Sequence, residues 1–239
     1  MNLIYFGFSL SLTFFFFACE RAKELPDQKL AKHPAKIEAK ITKTYLYNIF
    51  EFDPKTMKMG VSLSKPEQAD FYLNSNFFSD QPIGLVVVKG KRTATRINGG
   101  GYFYVLDGIP HIAVKSCPKI TEYASQTMLW GIDDGQLNTA LFEKKHARKK
   151  EFRTIFGSKK DGRLLLVATN ASSMVSIKEI TTYALQIGMV EGILFDGGSS
   201  VDYKMVSPTE KVVCQVVPSI LKKVAQIHEP MVYIYGKMK

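Results

Sequence analysis

Cysteine, histidine and tryptophan are scarce in this chain of 239 residues, which contains 3 cysteines, 4 histidines and 1 tryptophan. Outside the N-terminal segment only Cys117 and Cys214 remain, and neither has a histidine next to it. The chain therefore lacks both the ligand spacing of a structural zinc site and a cysteine–histidine nucleophile motif. We predict no metal centre and no cofactor. In an oxidising compartment the two thiols either form one disulfide or stay separate.

Several longer signatures are also missing. The sequence has no Gly-x-Ser-x-Gly motif, which removes the usual signature of a serine hydrolase. It has no internal repeat and no heptad pattern, which excludes a repeat array and a long coiled coil. It has no nucleic-acid-binding motif, and we predict no nucleic-acid partner.

The first marked feature that is present is an apolar run over residues 3–18, followed by Cys19 and a charged tract. The run is too short for a comfortable transmembrane helix and is typical of an export signal. Ala18 is the small residue expected before a lipoprotein cleavage site, so we predict that residues 1–19 are a signal or lipoprotein-type segment with a lipid on Cys19. Simple secretion and an uncleaved anchor are the alternatives. The predicted location is a cell-envelope membrane or the secreted fraction.

Positive charge dominates the chain, whose net charge is +10, and much of the excess lies in residues 20–43 and residues 144–150. The first stretch is polar and rich in lysine, which predicts a flexible tether. Residues 44–239 are then predicted to form one folded domain. Basic stretches suit anionic partners such as phosphorylated glycans or anionic lipid, and a solvated surface is the alternative.

Apolar and polar residues alternate along much of the predicted domain from residue 44, which favours β-strands. Further strands are predicted at residues 59–63, 83–89, 102–106, 128–132, 163–169, 193–195, 212–217 and 231–235.

Helices are few in the sequence pattern. The clearest is predicted at residues 176–187, where Ser176 and Glu179 match a capping box and Gly188 can end the helix. Shorter helices are predicted at residues 65–70 and 218–224. Strands with a few helices predict an α+β fold, a single domain built mostly on antiparallel or mixed sheet.

Residues 192–200 carry the most chemistry, because a short apolar run there ends in an acid, two glycines and two serines. The apolar residues 193–195 can form a buried strand. Asp196 follows where the chain leaves the core, and the two glycines allow unusual torsion angles and close approach to a ligand. An ordinary turn has the same composition, so a site and a turn both stay open.

Two earlier parts of the chain contain further short motifs, which are to be considered together with residues 192–200. Residues 73–78 read Leu-Asn-Ser-Asn-Phe-Phe and are followed by Pro-Ile-Gly-Leu at residues 82–85. Residues 152–157 read Phe-Arg-Thr-Ile-Phe-Gly, and an Asp-Gly-Arg follows at residues 161–163. With residues 195–200, these segments resemble in order the Asn-Gly-Gly-Phe-Phe, Arg-Thr-Ala-Ile-Gly and Asp-Gly-Gly-Gly-Ser-Ser motifs of the phosphodiester glycosidase family.

Two details depart from the family pattern. Ser75 and Asn76 stand where the family has two glycines, and Ser199 stands where it has a third glycine or another small residue. Residues 97–103 contain a second Asn-Gly-Gly string, but we prefer Asn74 because the Pro-x-Gly-Leu segment follows it at family-like spacing.

The resemblance implies hydrolysis of the sugar–phosphate bond of a sugar-1-phosphodiester, with a phosphorylated glycan or other anionic carbohydrate as partner. The leaving group would be a phosphate monoester, a weak base, so stabilising its charge matters more than protonating it. The resemblance gives catalytic roles to Asp196, Arg153 and Asn74, and substrate-binding roles to Thr154, Gly197, Gly198 and Ser200. Arg153 would grip two phosphate oxygens, and Asp196 would act at the anomeric carbon as nucleophile or base.

Two other functions stay open. One is a non-catalytic envelope lipoprotein that uses the same scaffold to bind an anionic glycan. The other is a glycosidase acting on ordinary glycosidic bonds, which would need a second carboxylate. Asp202 is the sequence candidate for that carboxylate, with a poor match to the pattern.

Overall fold

Alternating apolar residues produce antiparallel strands throughout the computed structural model, which describes residues 39–78, 81–119, 121–218, 221 and 230–239. Every strand ladder in these residues is antiparallel. Three helices with bounds inside the described residues accompany the strands. The predicted α+β class is confirmed, with sheet as the dominant component.

The strands in chain order are β1 (Ala39–Lys43), β2 (Tyr47–Phe52), β3 (Met57–Ser62), β4 (Phe71–Asn74), β5 (Phe77–Phe78), β6 (Pro82–Ile83), β7 (Val86–Val88), β8 (Lys91–Ala94), β9 (Gly101–Leu106), β10 (Ile109–Val114), β11 (Tyr123–Thr127), β12 (Leu129–Asp133), β13 (Gln136–Leu137), β14 (Thr154–Lys159), β15 (Leu164–Thr169), β16 (Met189–Leu194), β17 (Asp202–Val206), β18 (Lys211–Gln215) and β19 (Tyr233–Met238). The helices are α1 (Thr139–Phe142), α2 (Lys145–Arg148) and α3 (Ile177–Gln186). Single 3-10 turns lie at Pro54–Thr56 and Gly198–Ser200.

Three larger sheets organise these strands. The seven-stranded sheet has the order β1-β2-β15-β14-β16-β12-β13. One five-stranded sheet, which we call the outer sheet, has the order β10-β9-β11-β7-β8. The other, the terminal sheet, has the order β18-β17-β4-β19-β3, and β5 pairs with β6 in a separate ribbon.

The middle strands of the seven-stranded sheet are largely buried on both faces because they are apolar on both sides, whereas the edge strands β1 and β13 are partly exposed. In β15, all six side chains are buried. One face packs under α1, α2 and α3, through side chains such as Ile155, Leu165 and Ile180. The opposite face joins the main core, which it shares with the outer and terminal sheets.

Phenylalanines from different sheets meet at the centre of the main core. Phe50 and Phe156 of the seven-stranded sheet lie with Phe71 of the terminal sheet, at ring-centroid distances of 5.6 Å for Phe50–Phe71 and 5.7 Å for Phe71–Phe156. Phe103 of the outer sheet lies 6.2 Å from Phe156. Such aromatic contacts add to the burial energy that holds the sheets together.

The helix prediction at residues 176–187 is confirmed by α3. Both hydrogen bonds of the capping box are present, since Ser176 accepts from the Glu179 backbone and Glu179 accepts from the Ser176 backbone. The helix predicted at residues 65–70 is wrong, because this stretch forms turns in which Ala69 N–H donates to the Pro66 carbonyl. Six residues are too few to hold a helix without strong packing.

The predicted tether ends earlier than expected. Ala39–Lys43, which we placed in the tether, pairs along its whole length with β2. Ala39 and Ile41 lie on one side of this strand and contact the main core, so burial fixes it. Residues 1–38, with the predicted lipidation site Cys19, and most of the helix predicted at residues 218–224 lie outside the described residues.

Two features bear on export and redox chemistry. In the part of the chain that the structure describes, no helix has the length and apolar character needed to span a membrane.

Cys117 is half-buried against the outer sheet, and Cys214 is buried within β18 of the terminal sheet, so the two thiols are not joined. Burial raises the pKa of the Cys117 thiol to about 11, which keeps it protonated and unreactive.

Candidate active site

Two neighbouring strands of the seven-stranded sheet bring the predicted site residues together. β14 and β16 pair antiparallel, Arg153 precedes β14 and Asp196 follows β16. Antiparallel pairing places the start of one strand beside the end of the other, so both residues lie at the same end of the sheet. The Phe195 N–H donates to the Thr154 carbonyl at 3.5 Å. This hydrogen bond continues the pairing of the two chain segments up to Arg153 and Asp196.

The turn over residues 196–200, which we call the acidic turn, packs directly on the segment before β14. The Gly198 N–H donates to the Phe152 carbonyl at 2.9 Å. A Cβ atom on Gly197 would lie 2.7 Å from the same oxygen and 3.1 Å from Nη1 of Arg153. Gly198 has φ +61°, in the left-handed region. Glycine is therefore favoured at position 197 because a side chain has no space there, and at position 198 because of the backbone conformation.

Asp196 is a partly buried carboxylate with several partners. It accepts hydrogen bonds from the Ser200 hydroxyl and the Gly197 N–H. Burial raises the pKa of Asp196, and the two hydrogen bonds and the nearby Arg153 guanidinium oppose that rise. The result is a carboxylate that is more basic than usual.

Arg153 is almost fully buried, with its side chain 9% exposed. Its Nη2 donates to the carbonyls of His146 and Lys149, at 3.2 Å each, and lies 3.3 Å from Oε2 of Glu151. Burial lowers the pKa of Arg153, and the charges of Glu151 and Asp196 raise it again. Among the described residues, its buried Nε has no hydrogen-bond acceptor. An unsatisfied buried donor is costly, so a ligand oxygen or water placed there would be stabilising.

A buried polar chain fixes the backbone of Arg153. The Arg153 N–H donates to the Thr169 hydroxyl at 3.0 Å. The Thr169 carbonyl accepts from the Tyr203 hydroxyl at 2.9 Å, and Asn48 donates to that hydroxyl at 2.8 Å. Because these contacts join the seven-stranded and terminal sheets, the position of Arg153 depends on the packing of both.

Asn74 lies at the end of β4 and ties the terminal sheet to the acidic turn. Its side chain is fully buried, its Nδ2 donates to the Asp196 carbonyl at 3.1 Å, and its Oδ1 accepts from the Asp202 N–H at 3.1 Å. The amide thus holds both ends of the segment that contains the acidic turn. This geometry suits a positioning residue for Asp196 better than a contact to a sugar hydroxyl.

Of the remaining predicted residues, Ser200 contacts Asp196, whereas Thr154 and Asp202 are buried away from its carboxylate. Ser200 contacts the Asp196 carboxylate, as described above. The Thr154 side chain is fully buried, and its hydroxyl has no partner among the described residues. Asp202 is also fully buried, but its carboxylate binds Lys65 at 2.9 Å and accepts from the Tyr233 hydroxyl at 3.0 Å. Asp202 is therefore committed to a buried ion pair rather than to the site.

Glu151 is a further residue of the site that the sequence pattern does not predict. Its Oε2 would lie 3.7 Å from a Cβ atom on Gly198, it pairs with Arg153, and its charge raises the pKa of Asp196. Glu151 is thus the second carboxylate beside the acidic turn. One sequence signal could have found it, since Glu151 and Arg153 are two residues apart in an extended segment and side chains at that spacing point to the same side.

A family model of the phosphodiester glycosidase domain matches residues 67–219, a range that contains Asn74, Arg153 and Asp196. The chain belongs to the phosphodiester glycosidase family. A search of curated proteins returns no match.

Solved structures share the fold. The catalytic domain of zebrafish N-acetylglucosamine-1-phosphodiester alpha-N-acetylglucosaminidase, auto-inhibited by its pro-peptide, matches with a TM-score of 0.60 and 12% identity, over 85% of this chain and 83% of that chain. A hypothetical protein from Synechocystis matches with a TM-score of 0.58 and 10% identity, over 84% of this chain and 61% of that one. A Burkholderia pseudomallei protein described as a "Putative exported protein" matches with a TM-score of 0.50 and 11% identity, over 80% of this chain and 73% of that one. At these identities the likeness concerns the fold.

The departure from the Asn-Gly-Gly motif of the phosphodiester glycosidases is accommodated within the core. Asn76 has φ +53°, a left-handed conformation that glycine favours and that asparagine tolerates better than most residues. Ser75 and Asn76 are fully buried, and the Ser125 hydroxyl hydrogen-bonds to both side chains. The larger side chains thus find partners, and the turn that carries Asn74 to the site is kept.

Proposed function

We propose that the chain hydrolyses the sugar–phosphate bond of a sugar-1-phosphodiester at the acidic turn. The observation that carries the proposal is the meeting of Asp196, Arg153 and Glu151 at one end of the seven-stranded sheet, with Asn74 holding the turn. Membership of the phosphodiester glycosidase family supports the reaction class. The zebrafish neighbour supports a glycosidic bond to phosphate as the bond that is cut.

Arg153 is proposed to stabilise the departing phosphate. Cleavage of the anomeric C–O bond leaves its electron pair on the phosphate oxygen, so negative charge grows there in the transition state. A guanidinium that is already fixed by the protein stabilises that charge with little reorganisation. The two carbonyls and Glu151 that bind Nη2 supply this fixation, and the buried Nε is a donor without an acceptor among the described residues.

Asp196 is proposed to act at the anomeric carbon, which becomes positively charged as the bond breaks. Its raised pKa makes the carboxylate a better base, and its hydrogen bonds to Ser200 and Gly197 aim it. Glu151 is the second carboxylate that retaining and inverting glycosidases ordinarily use. A phosphate leaving group needs little protonation, so we do not assign Glu151 to it. If Asp196 is the nucleophile, the phosphate leaves as the glycosyl ester forms, and Glu151 takes the proton of the water that then cleaves this ester. If Asp196 is the base, it takes the proton of the attacking water itself, and Glu151 acts through its charge beside Asp196 and Arg153.

Turnover of a panel of sugar-1-phosphate diesters by the full chain tests the proposal. The parent should release free sugar and a phosphate monoester. Asp196→Asn should lower kcat by about a hundredfold or more, and Glu151→Gln should also lower it, because positioned carboxylates contribute roughly 10²–10⁴ to such reactions. The anomeric configuration of the first product, read by NMR, distinguishes a nucleophilic Asp196 (retention) from a base (inversion).

Matched variants keep this test specific. Asp107→Asn makes the same chemical change in an exposed turn between β9 and β10 and should leave turnover as in the parent. Full turnover by a folded Asp196→Asn variant would contradict the assignment of Asp196. Saturable binding of the diesters without product, by the folded parent, would instead favour the non-catalytic glycan-binding lipoprotein.

A further inference from the structure

A cluster of positive charge lies beside the acidic turn. Residues 144–150, which we call the basic loop, contain four lysines and one arginine and no acidic residue. The loop connects α1 to the segment before β14, and α2 is its single helical turn. Every residue of the loop except Ala147 is exposed. A locally unbalanced charge of this kind attracts anions over about 10 Å at ordinary ionic strength.

The basic loop is attached to the site by Arg153. The guanidinium Nη2 binds the carbonyls of His146 and Lys149, and Glu151 bridges Arg153 to the Lys149 ammonium at 2.6 Å. The loop position is therefore set by the group proposed to stabilise the departing phosphate. Such an attachment is more than a solvated surface run would need, since solvated lysines require no internal anchor.

Part of the charge in the basic loop is uncommitted. Arg148 pairs with Glu143, and Lys150 lies 3.4 Å from Glu179. In the described part of the chain, no acidic group lies within ion-pair distance of Lys144 or Lys145.

The surface of the loop also has a concave shape. An open depression of about 600 Å³ is lined by Lys145, His146, Arg148 and Lys149. An open, many-donor surface suits an extended and flexible ligand, whereas a single small anion would be better held in an enclosed pocket. Lysine ammonium groups are mobile point charges, so they fit phosphates whose spacing is not rigid.

We propose that the basic loop binds the group on the far side of the scissile phosphodiester, and that this group is a polyanionic chain of repeated phosphates. The inference rests on the proposed function, because it places the leaving phosphate at Arg153. The chain that continues from that phosphate then meets the loop that Arg153 holds. The substrate class is accordingly a sugar capped onto a phosphate polymer, rather than a sugar phosphate on a small neutral alcohol.

Direct binding tests the proposal without requiring turnover. The probe is a fluorescently labelled poly(glycerol phosphate) oligomer, titrated with the full chain and followed by anisotropy. The Lys144→Ala/Lys145→Ala variant should bind it roughly fivefold more weakly than the parent, since each exposed charge contact is modest. The control is Lys58→Ala/Lys237→Ala, which removes the same charge from two exposed, cross-strand lysines of the terminal sheet and should bind as the parent does.

Several results would overturn the proposal. An equal loss of affinity in the two double variants would mean that only net charge matters. Parental affinity in the loop variant would remove the loop from binding. Tighter binding of anionic vesicles or duplex DNA than of the oligomer, at the same ionic strength, would assign the surface to a membrane or a nucleic acid instead.

Turnover separates this proposal from the proposed function. We would compare a sugar-1-phosphate joined to the oligomer with the corresponding methyl diester. The ratio of kcat/KM for the polymer to that for the methyl diester should fall roughly fivefold in the loop variant. An unchanged ratio contradicts the loop subsite and leaves the reaction intact. No turnover of either substrate, with loop-dependent binding, contradicts the hydrolase while supporting the subsite.

Discussion

At the scale of single residues, the pKa of one carboxylate, that of Asp196, is set by a few neighbouring groups. Burial raises the pKa of Asp196, whereas Ser200, Gly197 and Arg153 lower it, and the balance sets how basic the group is. Each of these neighbours acts on the ionised form, by hydrogen bond or by charge. Changing one neighbour should therefore move the pH dependence without removing the reacting group.

Ser200→Ala is the sharpest change at this scale. Loss of the hydroxyl removes a hydrogen bond to the carboxylate, so the pKa of Asp196 should rise further. If ionised Asp196 is the active form, the acidic limb of the kcat/KM profile should move to higher pH. The neighbouring Ser199→Ala is the matched control and should leave the limb in place. A downward shift, or an equal shift in both variants, would contradict the role of the Ser200 hydroxyl.

The single residues of the site could be predicted only in part. Asp196, the glycines and Ser200 form one continuous string, so local composition and family resemblance were enough to propose them. Glu151 belongs to no such motif. It comes close to Gly198 and Arg153 only when the acidic turn folds against residues 151–153. Asn74 was found by resemblance, but its use as a clamp on the backbone of Asp196 depends on the packing of two sheets.

At the scale of elements, the pairing of β14 with β16 holds the site together. Gly157 of β14 faces Gly192 of β16 in the ladder. A Cβ atom on Gly157 would collide with the Glu191 carbonyl and with the Met189 side chain. The absence of a side chain thus lets the two strands approach closely, and their register sets Arg153 beside Asp196.

Gly157→Ala should separate these strands. We expect a loss of about 2–3 kcal/mol in the free energy of unfolding, since an extra methyl in a close-packed region meets backbone that cannot move aside easily. Urea denaturation measures the loss, and turnover should fall with it as the register loosens. Ser158→Ala, one position along the same strand, provides the comparison and should lose much less. Equal stability of Gly157→Ala and the parent would show that the approach is not tight.

Local signals predicted elements well where the segment had its own stabilising device. α3 has a capping box and a long apolar face, and both were visible in the sequence. The stretch at residues 65–70 has neither. Ala39–Lys43 was misassigned because its composition is that of a tether, and only pairing with β2 makes it a strand.

At the scale of the whole molecule, a buried ion pair helps to hold the terminal sheet. Asp202 is completely buried and meets Lys65, whose side chain is 25% exposed, and Lys65 also lies 5.2 Å from the centre of the Tyr72 ring. Removing one partner of such a pair leaves the other buried and uncompensated, which costs more than the pair itself contributes. Breaking the exposed pair Arg148–Glu143 should cost little stability, because both groups remain in water.

Lys65→Met should therefore destabilise the fold by roughly 2 kcal/mol, measured by urea denaturation, because the Asp202 carboxylate loses its cation. The double variant Lys65→Met/Asp202→Asn should recover part of that loss by removing the unpaired charge. Arg148→Ala, at an exposed pair, should change stability by less than about 0.5 kcal/mol. A Lys65→Met variant no less stable than Arg148→Ala would show that Asp202 does not depend on Lys65.

The arrangement of the three sheets was beyond the sequence pattern. Alternation indicates strands and the face each buries, but not which strands become neighbours. Here β2 lies between β1 and β15, and β4 lies between β17 and β19, so several ladders join segments far apart in the chain. The α+β class followed from local pattern, while the meeting of the motifs required the long-range pairing.

The place of β19 has a consequence for the newly made chain. This strand, Tyr233–Met238, lies between β3 and β4 in the terminal sheet, with Tyr233 opposite Asn74. During synthesis, β3 and β4 emerge long before the strand that joins them, so the sheet stays open until residue 238 has left the ribosome. Asn74, whose side chain holds the backbone of Asp196, then gains its ladder neighbour Tyr233. The sheet around Asn74 is thus completed only after β19 has been made.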